Sequence, residues 1–248
     1  MNRYKIVISY DGTHYAGWQV QKTGLAIQPV IQKAIETFIR HPIQLSASGR
    51  TDTGVHALGQ VAHFDCNELL DSHRFLYSLN ALLPADIRIL QIEKTKPDFH
   101  ARYSAISKIY HYHLHLDEMV DPFTRLYSYH VFFPCDLNLL FSATREFLGE
   151  HDFTSFASKA HQGAASYDPI RTLHRLDIVP ETKGIRLEFE ADGFLYRMVR
   201  NITGTLLDVA RGKINPSEIR EILLSKDRKK AGQIAPPHGL FLMEVKYQ

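Results

Sequence analysis

One polar loop offers the clearest chemistry in the sequence, because it surrounds a carboxylate with glycines and hydroxyl groups. The loop reads Ser48-Gly49-Arg50-Thr51-Asp52-Thr53-Gly54-Val55-His56. Glycines let a backbone approach a ligand closely, and a positive charge at Arg50 would keep Asp52 ionised. An ionised and oriented carboxylate is suited to nucleophilic attack. Asp52 is therefore a candidate nucleophile, and the competing interpretation is an Asx turn in which Asp52 accepts from the Gly54 amide.

The triplet Asp52-Thr53-Gly54 is also typical of aspartic proteases. Such a protease needs two carboxylate loops that share one proton. The chain has one Asp-Thr-Gly triplet, so a protease would have to be a dimer. A guanidinium at Arg50 would disfavour the shared proton. The protease is therefore a remote alternative.

A predicted strand around Tyr110 carries the second set of candidates. A tyrosine on a strand face can stack on an unpaired base and offer its phenol as a hydrogen-bonding group, although most strand tyrosines simply pack against a core. His111, His113 and His115 alternate on the opposite face. They suggest a metal clamp, which the lack of a nearby cysteine or a suitably spaced carboxylate disfavours.

Two arginines form the third candidate. Arg197 and Arg200 lie three residues apart in a predicted helix that opens at Gly193-Phe194, so we expect them to project to similar sides. An arginine at the edge of a buried stripe needs a partner, either the loop carboxylate or a phosphate. A solvated surface pair is the alternative.

The local charge supports a nucleic-acid partner more than the global charge does. The whole chain has a formal net charge of +2, whereas residues 195–230 contain nine basic and four acidic side chains. A locally positive face can meet phosphates, although a solvated helix surface explains many such runs. The candidates for phosphate contacts are Arg197, Lys213, Lys226, Arg228, Lys229 and Lys230.

Composition sets the class of protein. The 248 residues are 44% hydrophobic and 23% charged, which excludes a disordered, collagen-like or coiled-coil chain. There is no apolar run near the roughly 20 residues that a membrane helix needs, so we expect a soluble, unexported protein. Cys66 and Cys135 are the two cysteines. They exclude a disulfide framework and cysteine-based structural zinc sites, and they suit a reducing cytoplasm.

Hydrophobic periodicity predicts interleaved strands and helices. Strands are predicted at 4–10, 43–47, 60–65, 86–93, 109–116, 172–179, 185–191 and 240–247. Helices are predicted at 27–40, 71–83, 136–149, 195–212 and 216–225. The pattern is typical of an α+β protein with largely antiparallel sheet.

A weak internal repeat suggests two related halves. Residues 10–15 and 191–196 each follow a predicted strand, contain Asp-Gly with a tyrosine three residues after the glycine, and precede a helix. Chance explains such an echo about as well, because Asp-Gly turns are common. If the repeat is real, the sequence divides into halves at 1–116 and 117–248.

Taken together, these segments resemble the tRNA pseudouridine synthase A family. The matching stretches are 10–12, 17–19, 49–56, 99–105, 108–112, 194–201 and 239–242, in family order from end to end. The resemblance implies that Asp52 is the nucleophile, that Arg200 pairs with it and that Tyr110 contacts the base. We expect Arg50 and Arg197 beside the substrate.

The resemblance also implies a fold, a reaction and an assembly. Similar enzymes convert uridines 38, 39 and 40 of the tRNA anticodon stem-loop to pseudouridine, without cofactor or metal. They are homodimers whose subunits fold as two α+β halves with a basic cleft between them. Thr53 stands where many relatives have alanine, and His111 where many have arginine. The second departure puts a phosphate contact at His111 in doubt. A noncatalytic RNA-binding module of the same fold is the main alternative.

Overall fold

The computed structural model describes residues 1–19, 24–158 and 168–248. The chain forms two compact units within these ranges. The first unit comprises Met1–Ile106 and Phe241–Gln248, and the second comprises Ser107–Leu240. The predicted division after Leu116 therefore differs from the observed one by ten residues, and the last strand returns to the first unit. The reason is pairing: residues Lys108–His115 bond along their length to a strand of the second unit.

The first unit is a sheet with two helices. Its elements are β1 (Asn2–Tyr10), α1 (Ile27–Ile39), β2 (Ser46–Ala47), β3 (His56–Cys66), α2 (Ser72–Leu82), β4 (Ile87–Thr95) and β10 (Leu240–Tyr247). The strand order is β4-β1-β3-β10, with β2 paired to β3. β1 is antiparallel to both neighbours, whereas β10 runs parallel to β3.

Apolar periodicity explains these elements. In β1 the alternate residues Tyr4, Ile6 and Ile8 are fully buried, as period-two spacing requires of a strand with one covered face. In α1 the buried residues Ile27, Ile31 and Ile35 recur at helical spacing. The predicted strand at 43–47 shrinks to Ser46–Ala47. The backbone before it is held by a hydrogen bond from the Ile43 amide to the side chain of Glu36 in α1 instead of by a strand partner.

The second unit contains, among the described residues, five strands and three helices. Its elements are β5 (Ala105–His115), β6 (Tyr129–His130), α3 (Leu137–Arg145), β7 (Gly149–Asp152), β8 (Ile170–Glu181), β9 (Gly184–Ala191), α4 (Met198–Ala210) and α5 (Glu218–Ser225). The strand order is β5-β9-β8-β7, antiparallel throughout, and β6 pairs with β5 in parallel. The predicted α+β class with largely antiparallel sheet is confirmed.

The central element of the second unit is α4, in which all thirteen residues are buried. A later segment of the chain, around Gln233, crosses α4 at Gly204. An added Cβ on Gly204 would lie 1.6 Å from the carbonyl oxygen of Gln233. Only glycine permits so close an approach between two backbones. The helix begins at Met198 rather than at the predicted Leu195, because Arg197 has a left-handed backbone (φ 62°).

Within the part of the chain that the structure describes, no helix combines the length and the apolar character needed to span a membrane.

Candidate active site

The loop that carries Asp52 is held at its start by β3. Ser48 and Gln60 are fully buried. The Ser48 hydroxyl donates to Oε1 of Gln60 at 2.7 Å, and Nε2 of Gln60 donates back to the Gly49 carbonyl at 3.1 Å. A buried side-chain pair with reciprocal bonds to the loop fixes the path of the backbone as it leaves β2.

The end of β1 and the chain that follows it hold the same loop on both sides of Asp52. We call residues 10–18 the clamp segment. The Tyr10 hydroxyl shares a 2.7 Å hydrogen bond with Oγ1 of Thr51. The Trp18 amide donates to the Thr51 carbonyl at 3.1 Å, and the Gly54 amide donates to the Tyr15 carbonyl at 3.3 Å.

This arrangement bears on the predicted Asx turn. The amide that such a turn would direct at the Asp52 carboxylate, that of Gly54, donates to the clamp segment. The backbone of the loop turns instead through a bond from the Val55 amide to the Asp52 carbonyl at 3.2 Å, with Gly54 at a positive φ of 75°. The turn therefore has a backbone hydrogen bond of its own, and the Gly54 amide is engaged by the clamp segment.

Two glycines make the clamp possible. A Cβ on Gly12 would lie 2.0 Å from the Val55 carbonyl oxygen, and a Cβ on Gly17 would lie 2.6 Å from the Thr51 carbonyl oxygen. Gly17 also has a φ of +95°. The sequence shows Gly12 as a turn residue and gives no role to Gly17, since the atoms that they approach are more than thirty residues away. Both glycines are positioning residues that sequence reasoning missed.

His56 joins the end of the loop to the clamp segment. Its side chain is 1% exposed, and its ring stacks on Phe241 with centroids 4.5 Å apart. Nδ1 lies 3.1 Å from both the Gly12 amide nitrogen and Oδ1 of Asp11. A ring nitrogen carries either a proton or a lone pair, so Nδ1 either donates to Asp11 or accepts from Gly12. In both cases His56 fixes the start of the clamp.

Asp52 itself lies between fixed neighbours and keeps part of its surface. Thr51 and Val55 are buried, Asp52 is half-buried and Arg50 is exposed. The carboxylate is therefore not sealed within the core of the first unit. A side chain placed in this way has a defined backbone and remains accessible to a reactant.

In the second unit Tyr110 lies on β5 against an aromatic partner. Its ring meets the ring of Phe194 edge to face, with centroids 5.1 Å apart and planes 82° apart. Tyr112, two residues further on the same face, is fully buried and donates its hydroxyl to the Pro236 carbonyl at 2.7 Å. Tyr110 is half-buried. Its ring is therefore oriented by packing but retains a surface on which a base could stack.

Arg200 lies in the first turn of α4 and is 8% exposed. Its Nε donates to the Ala235 carbonyl at 2.8 Å, and the Ala235 amide donates to the Arg200 carbonyl at 3.0 Å. A guanidinium stays charged even when buried, so this reciprocal pair orients a permanent positive charge. The segment that passes Gly204 is therefore the one that aims Arg200.

Arg197 does not behave as predicted. We expected Arg197 and Arg200 to project to similar sides of one helix, but Arg197 precedes α4 in a left-handed conformation. Its side chain is exposed, and its guanidinium lies over the Tyr196 ring, 4.7 Å from the centroid. The helical spacing rule fails because the backbone is not yet helical at this residue.

The three histidines of β5 have separate partners. Nε2 of His111 lies 3.6 Å from Glu188, Nδ1 of His113 lies 3.0 Å from Glu181, and Nε2 of His115 donates to the Met119 carbonyl at 2.9 Å. They do not gather around one point, and the metal clamp that their spacing suggested is not formed. Burial lowers the pKa of His111 to about 4. The neutral ring is a poor substitute for an arginine at a phosphate.

The predicted phosphate-contacting residues divide in the structure. Arg228 is turned inward and donates to the carbonyls of Ala231 and Gly232 and to the side chain of Asn201. It is a structural residue, which corrects its prediction as a phosphate contact. Lys226 forms an ion pair with Asp152, and the remaining lysines are exposed. They are Lys213, Lys229 and Lys230.

The predicted site residues thus belong to both units. Arg50 and Asp52 lie on the clamped loop of the first unit, and Tyr110, Arg197 and Arg200 lie in the second. Within its own unit, each of Asp52, Tyr110 and Arg200 is positioned by contacts that fix its backbone or its side chain.

Comparison with known proteins identifies the family. A family model described as tRNA pseudouridine synthase matches residues 6–104 and 143–248. A relative from Protochlamydia amoebophila named tRNA pseudouridine synthase A 1 is 53% identical, over 100% of this chain and 97% of its own length. A tRNA pseudouridine synthase A from Exiguobacterium sp. is 44% identical, over 100% of this chain and 99% of its own. The chain belongs to the tRNA pseudouridine synthase family.

Proposed function

We propose that this chain isomerises uridine to pseudouridine at positions 38, 39 and 40 of the tRNA anticodon stem-loop, with Asp52 as the nucleophile. The observation that carries the proposal is the loop of Asp52. Its sequence matches the family motif, and its backbone is held on both sides while the carboxylate stays half-exposed. Simple RNA binding does not require that combination, and protease chemistry would need a second such loop to share the proton.

The reaction rearranges one nucleotide without adding or removing atoms overall. The bond between N1 of uracil and C1′ of ribose breaks, the base rotates, and C5 bonds to C1′ while its proton leaves and N1 gains one. A nucleophile that forms a transient covalent bond divides this into two easier steps. Asp52 attacks either C1′ of the sugar, where C5 displaces it as the new bond forms, or C6 of the base, which it leaves after C5 has bonded to C1′.

The uridine must leave the stem before its base can be detached. The ring of Tyr110 packs edge to face against Phe194 and is half-buried, which supports its role as a platform for the extruded base. We also propose that the phenol of Tyr110 helps to remove the proton from C5. Exclusion of water protects the detached base during rotation.

The arginines supply fixed positive charge. We propose that Arg200 acts with Asp52 on the same nucleotide and pairs with its carboxylate. Its orientation by Ala235 supports this role, because a guanidinium with one edge engaged can turn only its other edge to a partner. Arg50 and Arg197 are exposed, and we assign them to the phosphates or the sugar around the target.

The substrate and the assembly follow from the same proposal. An enzyme that acts at three adjacent positions must recognise the shape and backbone of its RNA more than one base sequence. We propose that it works as a homodimer in the cytoplasm and that the reaction itself uses neither cofactor nor metal.

Tritium release tests this function directly. The purified chain is incubated with a tRNA transcript that carries uridine labelled with tritium at C5, and the label that enters water is counted. One tritium is lost for each uridine isomerised. Transcripts with cytidine at position 38, 39 or 40 assign the sites, and we expect each replacement to remove its share of the label.

The other outcomes separate the alternatives. Tight tRNA binding without any tritium release would indicate a noncatalytic RNA-binding module. Peptide cleavage that pepstatin inhibits would indicate a dimeric protease. Release that persists when all three positions carry cytidine would contradict the assigned sites while leaving the isomerase activity in place.

A further inference from the structure

Three side chains that the proposed reaction does not use converge at one end of β3 in the first unit. Cys66 is the last residue of β3, Glu68 follows two residues later, and His41 lies just after the end of α1. β3 begins at His56, beside the loop of Asp52, and is eleven residues long. At about 3.3 Å per residue, the strand separates Cys66 from that loop by roughly 30 Å.

The ligand atoms of these side chains lie close together. Oε2 of Glu68 is 3.0 Å from Nε2 of His41 and 2.9 Å from Sγ of Cys66, and Sγ is 3.9 Å from Nε2. In a tetrahedral zinc site, bond lengths of about 2.0 to 2.3 Å place such atoms roughly 3.3 to 3.6 Å apart. Small side-chain movements would therefore admit a cation. Among the residues that the structure describes, this is the one His, Cys, Asp and Glu group with such geometry.

The imidazole of His41 is oriented as a metal ligand requires. Its Nδ1 lies 3.1 Å from the carbonyl oxygen of Pro42, and a carbonyl can only accept, so Nδ1 carries a proton and donates. Nε2 is the ring atom directed at Cys66 and Glu68. Metal-bound histidines usually donate their second ring nitrogen to a carbonyl or carboxylate in this way.

The backbone around His41 is anchored on both sides by one residue of α1. The Arg40 amide donates to the Glu36 carbonyl at 2.8 Å, and the Ile43 amide donates to Oε1 of Glu36 at 3.0 Å. The turn that carries the imidazole is therefore held to the last turn of the helix, which limits the entropy that a bound metal would have to overcome.

The backbone after Cys66 is anchored to β1. Asn2 is paired with Cys66 in the sheet, and its side-chain amide donates to the carbonyls of Asn67 and Glu68 at 3.2 and 3.1 Å. The thiol is buried, while the side chains of His41 and Glu68 are 26% and 55% exposed. A cation would thus be closed off on its sulfur side and open to water on its oxygen side.

We propose that His41, Cys66 and Glu68 form a site for a zinc-class divalent cation, with water as the fourth ligand. This departs from the expectation, drawn from the cysteine count, that cysteine-based structural zinc sites are excluded, because the fold brings a histidine and a glutamate beside a single cysteine. A thiolate and an imidazole favour Zn²⁺ over Mg²⁺ or Ca²⁺. Binding forms the metal–sulfur bond as the thiol proton is released to solvent, and a proton on Nε2 is displaced in the same way. The ion joins the end of α1 to the end of β3. Its role is to stabilise the first unit, and the isomerisation does not use it.

Metal titration of the full-length chain tests the site. The protein is stripped with a chelator and titrated with Zn²⁺ against a chromophoric indicator, and then with Co²⁺. We expect one equivalent of Zn²⁺ per chain and a thiolate-to-cobalt charge-transfer band. Cys66→Ser should abolish the band and weaken Zn²⁺ binding at least about tenfold, whereas Cys135→Ser, the matched control in the second unit, should change neither.

Thermal unfolding supplies a second readout that does not depend on the enzyme's activity. Zn²⁺ should raise the unfolding midpoint of the wild type and of Cys135→Ser by several degrees, because a ligand that binds only the folded state stabilises it. It should leave Cys66→Ser unchanged. If Cys66→Ser fails to fold, Glu68→Gln at the exposed ligand position replaces it, and the expected results are then weaker Zn²⁺ binding and a smaller rise of the midpoint than in the wild type.

Equal zinc uptake by the wild type and Cys66→Ser, or no uptake at all, would overturn the site. Loss of tritium release on removing the metal from folded protein would overturn its separation from the reaction. A protein that binds zinc as proposed but releases no tritium would instead refute the proposed function and leave the site intact.

Discussion

The Asp52 loop of the first unit and the Arg200 helix of the second position charged groups in different ways. Asp52 stays half-exposed on a loop whose neighbours are fixed by the clamp segment. Arg200 is buried, and its guanidinium is fixed directly through Nε by Ala235. The carboxylate is thus placed through its backbone, and the guanidinium through its side chain.

The two regions nevertheless share one device. In each, a second stretch of backbone crosses at a glycine with no room for a Cβ, at Gly17 against Thr51 and at Gly204 against Gln233. The nucleophile that we propose at Asp52 must reach and leave a reactant, and a fixed backbone leaves its side chain free to do so. A permanent charge that only has to be aimed can be buried. Both placements thus depend on backbone contacts that no local sequence pattern reveals.

The largest effect on stability is expected at Gly17. In Gly17→Ala the new Cβ meets the Thr51 carbonyl and the backbone has a φ of +95°, so we expect a loss of about 3 kcal/mol. Urea unfolding measures it. Gly149→Ala is the matched control, because Gly149 has the same φ of +95° and nothing within 4 Å. It should cost only about 1 kcal/mol; equal losses in the two variants would refute the clamp.

A smaller loss is expected at Gly204 in the second unit. Alanine favours a helix by about 1 kcal/mol over glycine, but its Cβ would displace the carbonyl of Gln233. We expect a net loss of about 2 kcal/mol in urea unfolding. Tritium release should also fall, because the displaced segment carries the Ala235 carbonyl that aims Arg200. A stabilised Gly204→Ala variant with full activity would show that this crossing does not position the arginine.

Arg200→Lys should cost about 1 kcal/mol of stability, since lysine cannot reproduce the hydrogen bond from Nε to Ala235. Its rate of tritium release should fall by at least about tenfold. The control is Arg197→Lys at the exposed position, which should change stability by less than about 0.5 kcal/mol. A larger loss of stability at Arg197 would invert the contrast between the two arginines.

The smallest effect at neutral pH concerns one histidine in each unit, the buried His63 and the half-buried His111. The Ala101 amide donates to Nδ1 of His63, and burial lowers the pKa of His63 to about 4 from 6.5. Burial likewise lowers that of His111 to about 4. Between pH 6.5 and pH 4 the unfolded chain therefore binds protons that the folded chain does not. Stability should be lost as the pH falls through this window and should not change from this cause above it.

Asparagine variants test this pH dependence. His63→Asn keeps an acceptor for Ala101 and has no group that gains a proton, so its urea midpoint should decline less steeply between pH 6.5 and pH 4. His111→Asn should do the same in the second unit. His174→Asn, at an exposed histidine, should keep the full wild-type slope. A slope unaltered in the first two variants would show that neither histidine is responsible.

Much of the fold could be predicted because local periodicity carries it. The alternation of β1 and the helical spacing of α1 are visible in the sequence, and the buried residues match them. The failures occur where distant contacts override local pattern. Arg197 leaves the helical register, and Arg228, read as a surface charge, turns inward to Asn201. No spacing rule could have indicated either.

The candidate site divides in the same way. The loop around Asp52 is recognisable in the sequence by its residue types. The groups that hold it, from Tyr10 to Trp18, lie more than thirty residues earlier in the chain. The same is true of His41, which meets Cys66 and Glu68 only through the fold. The sequence indicates the candidate reactive groups by residue type, but only the structure identifies the residues that position them.

The measurement that tests the central claim most directly is tritium release by Asp52→Asn, with tRNA binding measured on the same preparation. We expect release to fall by at least about a thousandfold while tRNA binding and the unfolding midpoint stay near those of the wild type. Asp177→Asn, at an exposed carboxylate, should release tritium normally. Appreciable release by folded Asp52→Asn would contradict the assignment of Asp52 as the nucleophile.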